Sequence, residues 1–397
     1  MIQNFKVTGQ KLRGVLLSFC LFMFCVSEPL FSQQHEQGNH VLLSSFRQKV
    51  KPLIQDLDSS SLARARAGVS MFEVLKHENT LKLQSTLEQT LLELSPVLVK
   101  LNSCFASNCE SRDSNQDLSR IARTMIAVAG YLSEDRVLAN RRLLLELGYL
   151  LERSLKLAHR PILTNAEHAQ VLRALIRLTD RFPIDFDLLA IRDQALQLSQ
   201  ASLTAAPEQA LVLEVLIALY QATAEARWLL EAEKLVDKIL HISGVSPCNK
   251  TACISALPLA LSTLDLHHLT GDLSYKQYSL HVLDAVLTEV ATIDPLFAVE
   301  AYVLYQRVHA KPFHMTVVGL KTDPAAQQLF TLARSVPVAY RRLEWWDRTQ
   351  GTLPNADVRY PILKRAAAFI CVEHHCSLPL FSEADMRHAL LRIFNKS

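Results

Sequence analysis

The stretch Ala218–Leu240 has the sequence ALYQATAEARWLLEAEKLVDKIL. Its pattern predicts the end of an apolar helix, a short polar turn and an amphipathic second helix. The same arrangement recurs in Leu269–Leu287, LTGDLSYKQYSLHVLDAVL. Five pairs of residues correspond at a constant offset of 47 positions: Thr223/Thr270, Trp228/Tyr275, Ala232/Ser279, Asp237/Asp284 and Leu240/Leu287. Helical hairpins at such a period are typical of stacked repeats, which build an open α-solenoid or a closed α/α toroid.

Apolar residues recur at helical spacing upstream of this repeat as well. Glycine is scarce, at 10 of 397 residues, and 49% of the chain is hydrophobic, which favours a mainly α fold around a sizeable core. The periodicity predicts further helices at residues 41–57, 61–76, 80–101, 117–131, 135–157, 166–180 and 186–199.

Residues 311–397 predict a small α+β appendage on the helical body. Thr322 or Asp323 as an N-cap before Pro324 indicates the start of one helix, and Ser382 indicates the cap of a terminal helix. Stretches rich in β-branched and aromatic residues predict three strands, at His314–Leu320, Val338–Trp346 and Ala367–Val372.

The N-terminus has the pattern of a secretory signal peptide, which we place at residues 1–32. Three basic residues precede the uncharged run Gly14–Val26, and a polar stretch follows. The run is shorter than the roughly 20 residues that span a membrane, so no membrane span is expected after signal removal. An uncleaved N-terminal anchor is the alternative. We therefore predict an exported protein, periplasmic or extracellular.

The charge balance gives no sign of a nucleic-acid partner. The whole chain carries a formal charge of +3, and residues 1–32 contribute three basic groups and one acid, so the remainder is +1. A nearly neutral chain of mixed charges lacks the basic surface that nucleic-acid binding requires.

Six of the eight cysteines remain after signal removal, in three C-x4-C pairs. An even count in an exported chain predicts short-range disulfides. A haem attachment would need a His directly after the second Cys, and a redox centre usually has C-x-x-C. A zinc site is an alternative only at the third pair, which encloses His374 and His375. The pairs are Cys104/Cys109, Cys248/Cys253 and Cys371/Cys376.

Residues 206–390 resemble the C-terminal helical region of the thioredoxin-fused α/α-barrel family that includes the spermatogenesis-associated thioredoxin-like proteins. The resemblance is carried by the repeat hairpins, by MTVVGLKTDPAAQQLFTLAR at Met315–Arg334 and by AAAFICVEHHCSLPLFSEADMRHAL at Ala366–Leu390. The family shows a strand, a C-x4-C pair, a Pro and an acidic helix start at this last segment. Here these are Cys371, Cys376, Pro379 and Glu383.

The resemblance implies a toroid of the six-hairpin glycosidase type, with a pocket at the N-terminal ends of its inner helices. We therefore divide the mature chain into N-terminal hairpins at 33–205, family-like hairpins at 206–310 and the appendage. The family's thioredoxin domain and redox motif are not recognisable here. Its Glu-Pro-Ser-Gly-Asn loop corresponds to Ser246–Lys250, which lacks the acid and contains Cys248.

Candidate site residues follow from the chemistry of sugar cleavage, which needs two carboxyl groups facing one bond. By resemblance, the acids near the pocket are Glu208, Asp294 and Glu300, although the first two also fit ordinary helix starts. Trp345 and Trp346 are candidates for stacking on a sugar or a partner, or for one buried and one covering side chain.

Two functions fit these observations. The first is an exported, non-catalytic helical-repeat protein that binds or scaffolds an unknown protein or carbohydrate. The second is a carbohydrate-active hydrolase or epimerase that uses the central pocket of the toroid. The sequence contains no phosphate loop, nucleophile elbow or H-E-x-x-H motif, and we expect neither cofactor nor metal. Paired acids beside an aromatic residue in one cavity would favour the enzyme.

Overall fold

A computed structural model describes residues 80–107, 112–156, 163–183, 185–186, 188–203, 205–243, 250–287, 294–372 and 375–394. The predicted signal at 1–32 and the predicted helices at 41–57 and 61–76 lie outside these residues. The helical body comprises α1 (Thr80–Leu92), α2 (Ser95–Ala106), α3 (Arg112–Tyr131), α4 (Glu134–Ala139), α5 (Arg141–Lys156), α6 (Asn165–Arg181), α7 (Leu188–Ser199), α8 (Ala206–Thr223), α9 (Ala226–Ser243), α10 (Lys250–Thr270), α11 (Leu273–Leu287) and α12 (Pro295–His309).

Five of these helices form an inner row. Helix α3 packs on α6, α6 on α8, α8 on α10 and α10 on α12. A second layer lies against the row: α5 packs on α3 and α6, α7 on α6 and α8, α9 on α8, and α11 on α10 and α12. One buried hydrophobic cluster runs through both layers from Leu83 to Tyr305 and includes residues on both sides of position 205.

The two copies of the 47-residue repeat have the same local structure. The hydroxyl of Thr223 accepts from the backbone N–H of Glu225 at 3.2 Å, and Thr270 accepts equivalently from Asp272 at 3.2 Å. The residue after each threonine is left-handed, Ala224 at φ 53° and Gly271 at φ 79°. Such a residue commonly ends a helix, so the repeat fixes the turn as well as the helices.

Two of the predicted helices are broken into shorter ones. The predicted helix 80–101 divides into α1 and α2, because Pro96 in the first turn of α2 has no N–H to continue the helix. The predicted helix 135–157 divides at Asn140. Its side-chain amide donates to the Arg136 carbonyl and to Glu88, both at 3.0 Å, and such side-chain bonds compete with helix continuation.

The C-terminal region is an α+β unit, as predicted. It comprises β1 (Phe313–Val318), α13 (Pro324–Ser335), β2 (Arg341–Trp346), β3 (Ala367–Val372), β4 (His375–Cys376) and α14 (Glu383–Phe394). The sheet order is β2-β1-β3-β4, with β1 parallel to β2 and the other pairs antiparallel. Asp323 caps α13 by accepting from the Ala325 N–H at 2.9 Å, and Ser382 caps α14 through the Asp385 N–H at 3.1 Å.

The appendage covers the C-terminal ends of the inner helices. Lys321 donates to the carbonyl of Ala224 after α8, at 2.6 Å. The hydroxyl of Tyr340 lies 2.7 Å from Nε2 of His268 in α10 and 3.1 Å from the carbonyl of Arg307 in α12. Because each of these inner helices meets the appendage with the same end, they run parallel to one another.

The cysteine predictions are confirmed at one pair. Cys371 and Cys376 are opposite each other on β3 and β4 and form a disulfide with an S–S distance of 2.02 Å. Cys104 and Cys253 are also disulfide-bonded; their predicted partners, Cys109 and Cys248, lie outside the described residues. No helix in the described ranges is both long and apolar enough to cross a bilayer.

Candidate functional site: a polar cavity inside the helical row

A cavity of about 120 Å³ lies against the inner row. All five inner helices contribute to its wall, and so does the segment leading into β2. Pro207, at the start of α8, lines one end. Ala339 and Arg341 of the appendage line the other end, next to the C-terminal ends of the helices. The cavity therefore follows the helices lengthwise and is closed by the appendage.

Helix α8 contributes the central strip of the wall. It is apolar throughout except for a few positions, of which Glu214 and Gln221 line the cavity seven residues apart. Seven residues are nearly two helical turns, so both side chains lie on one face. Gln221 accepts from the backbone N–H of Leu343 at 3.2 Å, which ties the strip to β2.

The carboxylates of the cavity are held close to arginines. Glu214 forms an ion pair with Arg173, and Asp265 forms one with Arg307 at 3.3 Å. The third carboxylate, Glu300, is buried at 5% exposure. These ion pairs hold the carboxylates of Glu214 and Asp265 in place against the cavity wall.

Asp180 lies behind the cavity wall and binds three guanidinium groups. Arg334 donates to it at 2.9 Å, Arg341 at 2.6 Å, and Arg177 lies at 3.6 Å. Although burial alone would raise the pKa of the Asp180 carboxyl, the three guanidinium groups hold it below its ordinary value. Because Arg334 and Arg341 belong to the appendage, Asp180 joins the appendage to α6.

The sequence-predicted acids lie in different places. Glu300 lines the cavity. Glu208 is half-buried in the first turn of α8, and Asp294 is exposed directly before α12; neither is part of the cavity wall. The carbonyl of Asp294 accepts from the Ala298 N–H at 3.0 Å, as at an ordinary helix start.

The two tryptophans lie on opposite faces of the sheet and away from the cavity. Trp345 packs on Phe330 with ring centroids 4.7 Å apart and donates to the Gly319 carbonyl at 3.0 Å. Trp346 lies 6.2 Å from the ring of Tyr360 and donates to the Gly351 carbonyl at 3.1 Å. Both indoles are half-buried and hydrogen-bonded within the appendage.

His268 is part of the contact with the appendage. Burial, and after it His267 and Arg342, lower the pKa of His268 to about 3. The folded protein therefore keeps this imidazole neutral at pH values where an unfolded chain, with a pKa of about 6.5, binds a proton. The stability that it contributes is complete above pH 6.5 and decreases as the pH falls towards 3.

We expect His268→Gln to flatten the decrease of unfolding free energy between pH 6.5 and 4. One such group contributes a slope of up to about 1.4 kcal/mol per pH unit. Urea unfolding at several pH values measures the slope, with the exposed His388→Gln as the matched control. Equal slopes in wild type and His268→Gln would contradict the assignment.

The residues that sequence reasoning missed are mainly the cavity arginines and amides. On α6, Gln170, Arg173 and Arg177 recur at spacings of three and four and all line the cavity. In the sequence these residues form a polar stripe along the helix. An exposed helix face has the same pattern, so the stripe alone does not indicate a cavity. Within the described ranges, no group of three or more His, Cys, Asp or Glu side chains has the arrangement of a metal site.

Comparison with known proteins assigns no family to the chain. No protein-family model matches it, and no curated protein matches it significantly.

Proposed function

We propose that this chain is an exported, non-catalytic helical-repeat protein that binds a small polar molecule in its central cavity. The observation that carries the proposal is the cavity itself, into which arginine, carboxylate and amide side chains converge from five helices and the appendage. Ligand sites are typically concave, with a few polar groups that fix orientation. A cavity of about 120 Å³ suits a molecule of about one ring, not a polymer.

We further propose that the inner row curves into an α/α toroid. Helices pack about 8–10 Å apart, so the first and fifth helix of a straight row would lie about 32–40 Å apart. Yet α3, through Arg123, and α12, through Glu300, line the same cavity. Strong curvature of the row supports the toroid over an open solenoid, and the resemblance to the α/α-barrel family points the same way.

The arginine partners of the cavity carboxylates support binding over catalysis. Glycoside hydrolysis needs one carboxyl group that donates a proton and a second that acts as base or nucleophile. Two of the three cavity carboxylates, Glu214 and Asp265, are paired with arginines. The alternative, a carbohydrate-active hydrolase or epimerase, is favoured by two observations: the buried carboxylate of Glu300 inside the cavity, and the aromatic ring of Tyr131 in the same wall.

Export is supported by the N-terminal sequence pattern together with the disulfides. Basic, apolar and polar segments follow one another at residues 1–32. The disulfide between Cys371 and Cys376 fits an oxidising compartment, since thiols stay reduced in the cytosol.

The experiment is a ligand screen on the full chain, collected after export from an expression host and sequenced at its new N-terminus. Thermal unfolding is followed with a panel of neutral sugars, sugar acids and amino acids. A true ligand at 100 times its Kd stabilises the folded state by about 2.7 kcal/mol. Ala339→Leu narrows the cavity and should abolish the shift, whereas Ala384→Leu, exposed on α14, should preserve it.

Turnover of the bound molecule is assayed in the same samples. Binding without turnover supports the proposal. Hydrolysis or epimerisation that Glu300→Gln abolishes would establish the enzyme instead. Retention of the chain in the cytosol with an intact N-terminus would refute export.

A further inference from the structure

The cavity wall carries more positive than negative charge. Five arginines and three carboxylates line it, a formal excess of two positive charges. Outside the wall, Asp180 and Arg334 add one charge of each sign and leave the excess unchanged. The arginines are Arg123, Arg173, Arg177, Arg307 and Arg341, and the carboxylates are Glu214, Asp265 and Glu300.

Arg123 is the clearest source of this excess. It projects from α3 into the cavity and is half-buried, and no carboxylate of the described residues forms an ion pair with it. Its Nε is buried without a hydrogen-bond partner there, and burial lowers the pKa of its guanidinium. A buried charge without a partner is costly, so a ligand anion would relieve this cost.

Gln170, on the neighbouring helix α6, adds a second unsatisfied group. Its side-chain oxygen is buried and has no hydrogen-bond partner among the described residues. Both side chains line the cavity. An amide oxygen accepts from a hydroxyl, so the pair offers a contact for an anionic group beside a contact for a hydroxyl.

Arg177 adds positive charge deeper in the wall. It shares the single carboxylate of Asp180 with two other arginines and has the longest of the three distances, 3.6 Å. Burial and the charge of Arg341 lower the pKa of the Arg177 guanidinium to about 9. Arg341 therefore repels Arg177 across the Asp180 carboxylate that they share.

From this geometry we propose that the cavity selects a small carboxylate-bearing, hydroxylated molecule of the acidic monosaccharide class, with Arg123 binding the carboxylate and Gln170 a hydroxyl. The inference rests on the proposed binding function and specifies its ligand. A guanidinium matches a carboxylate with two parallel hydrogen bonds.

Calorimetric titration of the full chain with glucuronate and with glucose tests this inference. Glucuronate should bind at least tenfold more tightly than glucose, and the preference should weaken between 20 and 500 mM NaCl because salt screens the charge. Arg123→Gln should weaken glucuronate binding about ten- to a hundredfold, the usual range for a charge-assisted hydrogen bond, and leave glucose binding unchanged.

Two variants control for folding and for charge. Arg120→Gln removes the same charge from the same helix, but at a residue whose ion pair with Glu93 lies outside the cavity wall, so it should leave glucuronate binding intact. Arg123→Lys keeps the charge without the planar fork and should give intermediate affinity. Thermal unfolding without ligand verifies that each variant folds.

The outcomes separate this inference from the function on which it rests. Equal affinities for glucose and glucuronate would overturn the charge selection while leaving a binding protein. Binding of inorganic phosphate but not of glucuronate would overturn the carboxylate class. If no molecule of the ligand screen binds, and glucose, glucuronate and phosphate also fail to bind, both the inference and the proposed function are overturned.

Discussion

Asp180→Asn is expected to lower the free energy of unfolding by about 3–5 kcal/mol, the usual cost of removing one partner from a buried ion pair. The carboxylate is 4% exposed and is the shared partner of Arg177, Arg334 and Arg341. An amide has the same shape as a carboxylate but no charge. The loss of unfolding free energy therefore measures the cost of leaving the arginine charges uncompensated. Guanidinium unfolding, followed by circular dichroism, measures the change.

The exposed ion pair of Asp185 with Arg141 provides the matched control for Asp180. Its atoms lie 3.3 Å apart, and half of the arginine side chain is accessible to solvent. Exposed pairs contribute about 0–1 kcal/mol, so Asp185→Asn should be nearly neutral. A change below about 1 kcal/mol for Asp180→Asn would mean that the three arginines find other partners.

The contribution of Asp180 to stability should also depend on pH. Because the pKa of Asp180 is held below its ordinary value, its contribution to stability is complete above about pH 4, the pKa in the unfolded chain. It is lost as the pH falls further, through the folded-state pKa. The difference in stability between wild type and Asp180→Asn should therefore shrink below pH 4.

Trp228→Ala is expected to cost about 3–5 kcal/mol, the typical loss for a large aromatic side chain in a packed core. Trp228 is 1% exposed and is the largest fully buried side chain among the residues that the structure describes. Its indole Nε1 has no hydrogen-bond partner in the described part of the chain, so its contribution is mainly packing. Urea unfolding measures the loss.

Two further substitutions test this interpretation of Trp228. Trp228→Phe should cost less than Trp228→Ala, because the phenyl ring fills part of the space and no hydrogen bond is lost. Leu230→Ala, on the exposed side of α9 at 51% exposure, should change stability by less than about 0.5 kcal/mol. Equal costs for Trp228→Ala and Leu230→Ala would place the indole outside the core.

The repeat made much of the fold predictable, because its information is local. The spacing of Thr223 and Thr270 predicted two equivalent turns, and their hydroxyls make equivalent hydrogen bonds. Capping residues such as Asp323 and Ser382 accept hydrogen bonds from backbone N–H groups only two or three positions further along the chain. The four-stranded order of the sheet was not predicted, since it depends on which strands meet after the chain has folded.

The cavity was less predictable, because its residues meet only through tertiary structure. Arg123 and Arg307 line one wall although 184 positions separate them in the chain. Glu214 and Gln221 did leave a local trace, as polar residues in an otherwise apolar buried helix. Such residues identify a polar interior but give no information about which other helices face it.

The arginines that bind Asp180 are far from it in the sequence, and this separation bears on the order in which the chain folds. Arg334 and Arg341 follow Asp180 by 154 and 161 positions, so both arrive after the helical body has been synthesised. Before the appendage is in place, one end of the cavity is open, and Arg177 is the only one of the three arginines that is already present beside Asp180. Contacts between such distant positions form slowly. We therefore expect closure of the cavity to follow the packing of the helical body, so a chain that ends before β2 would leave the cavity open at one end.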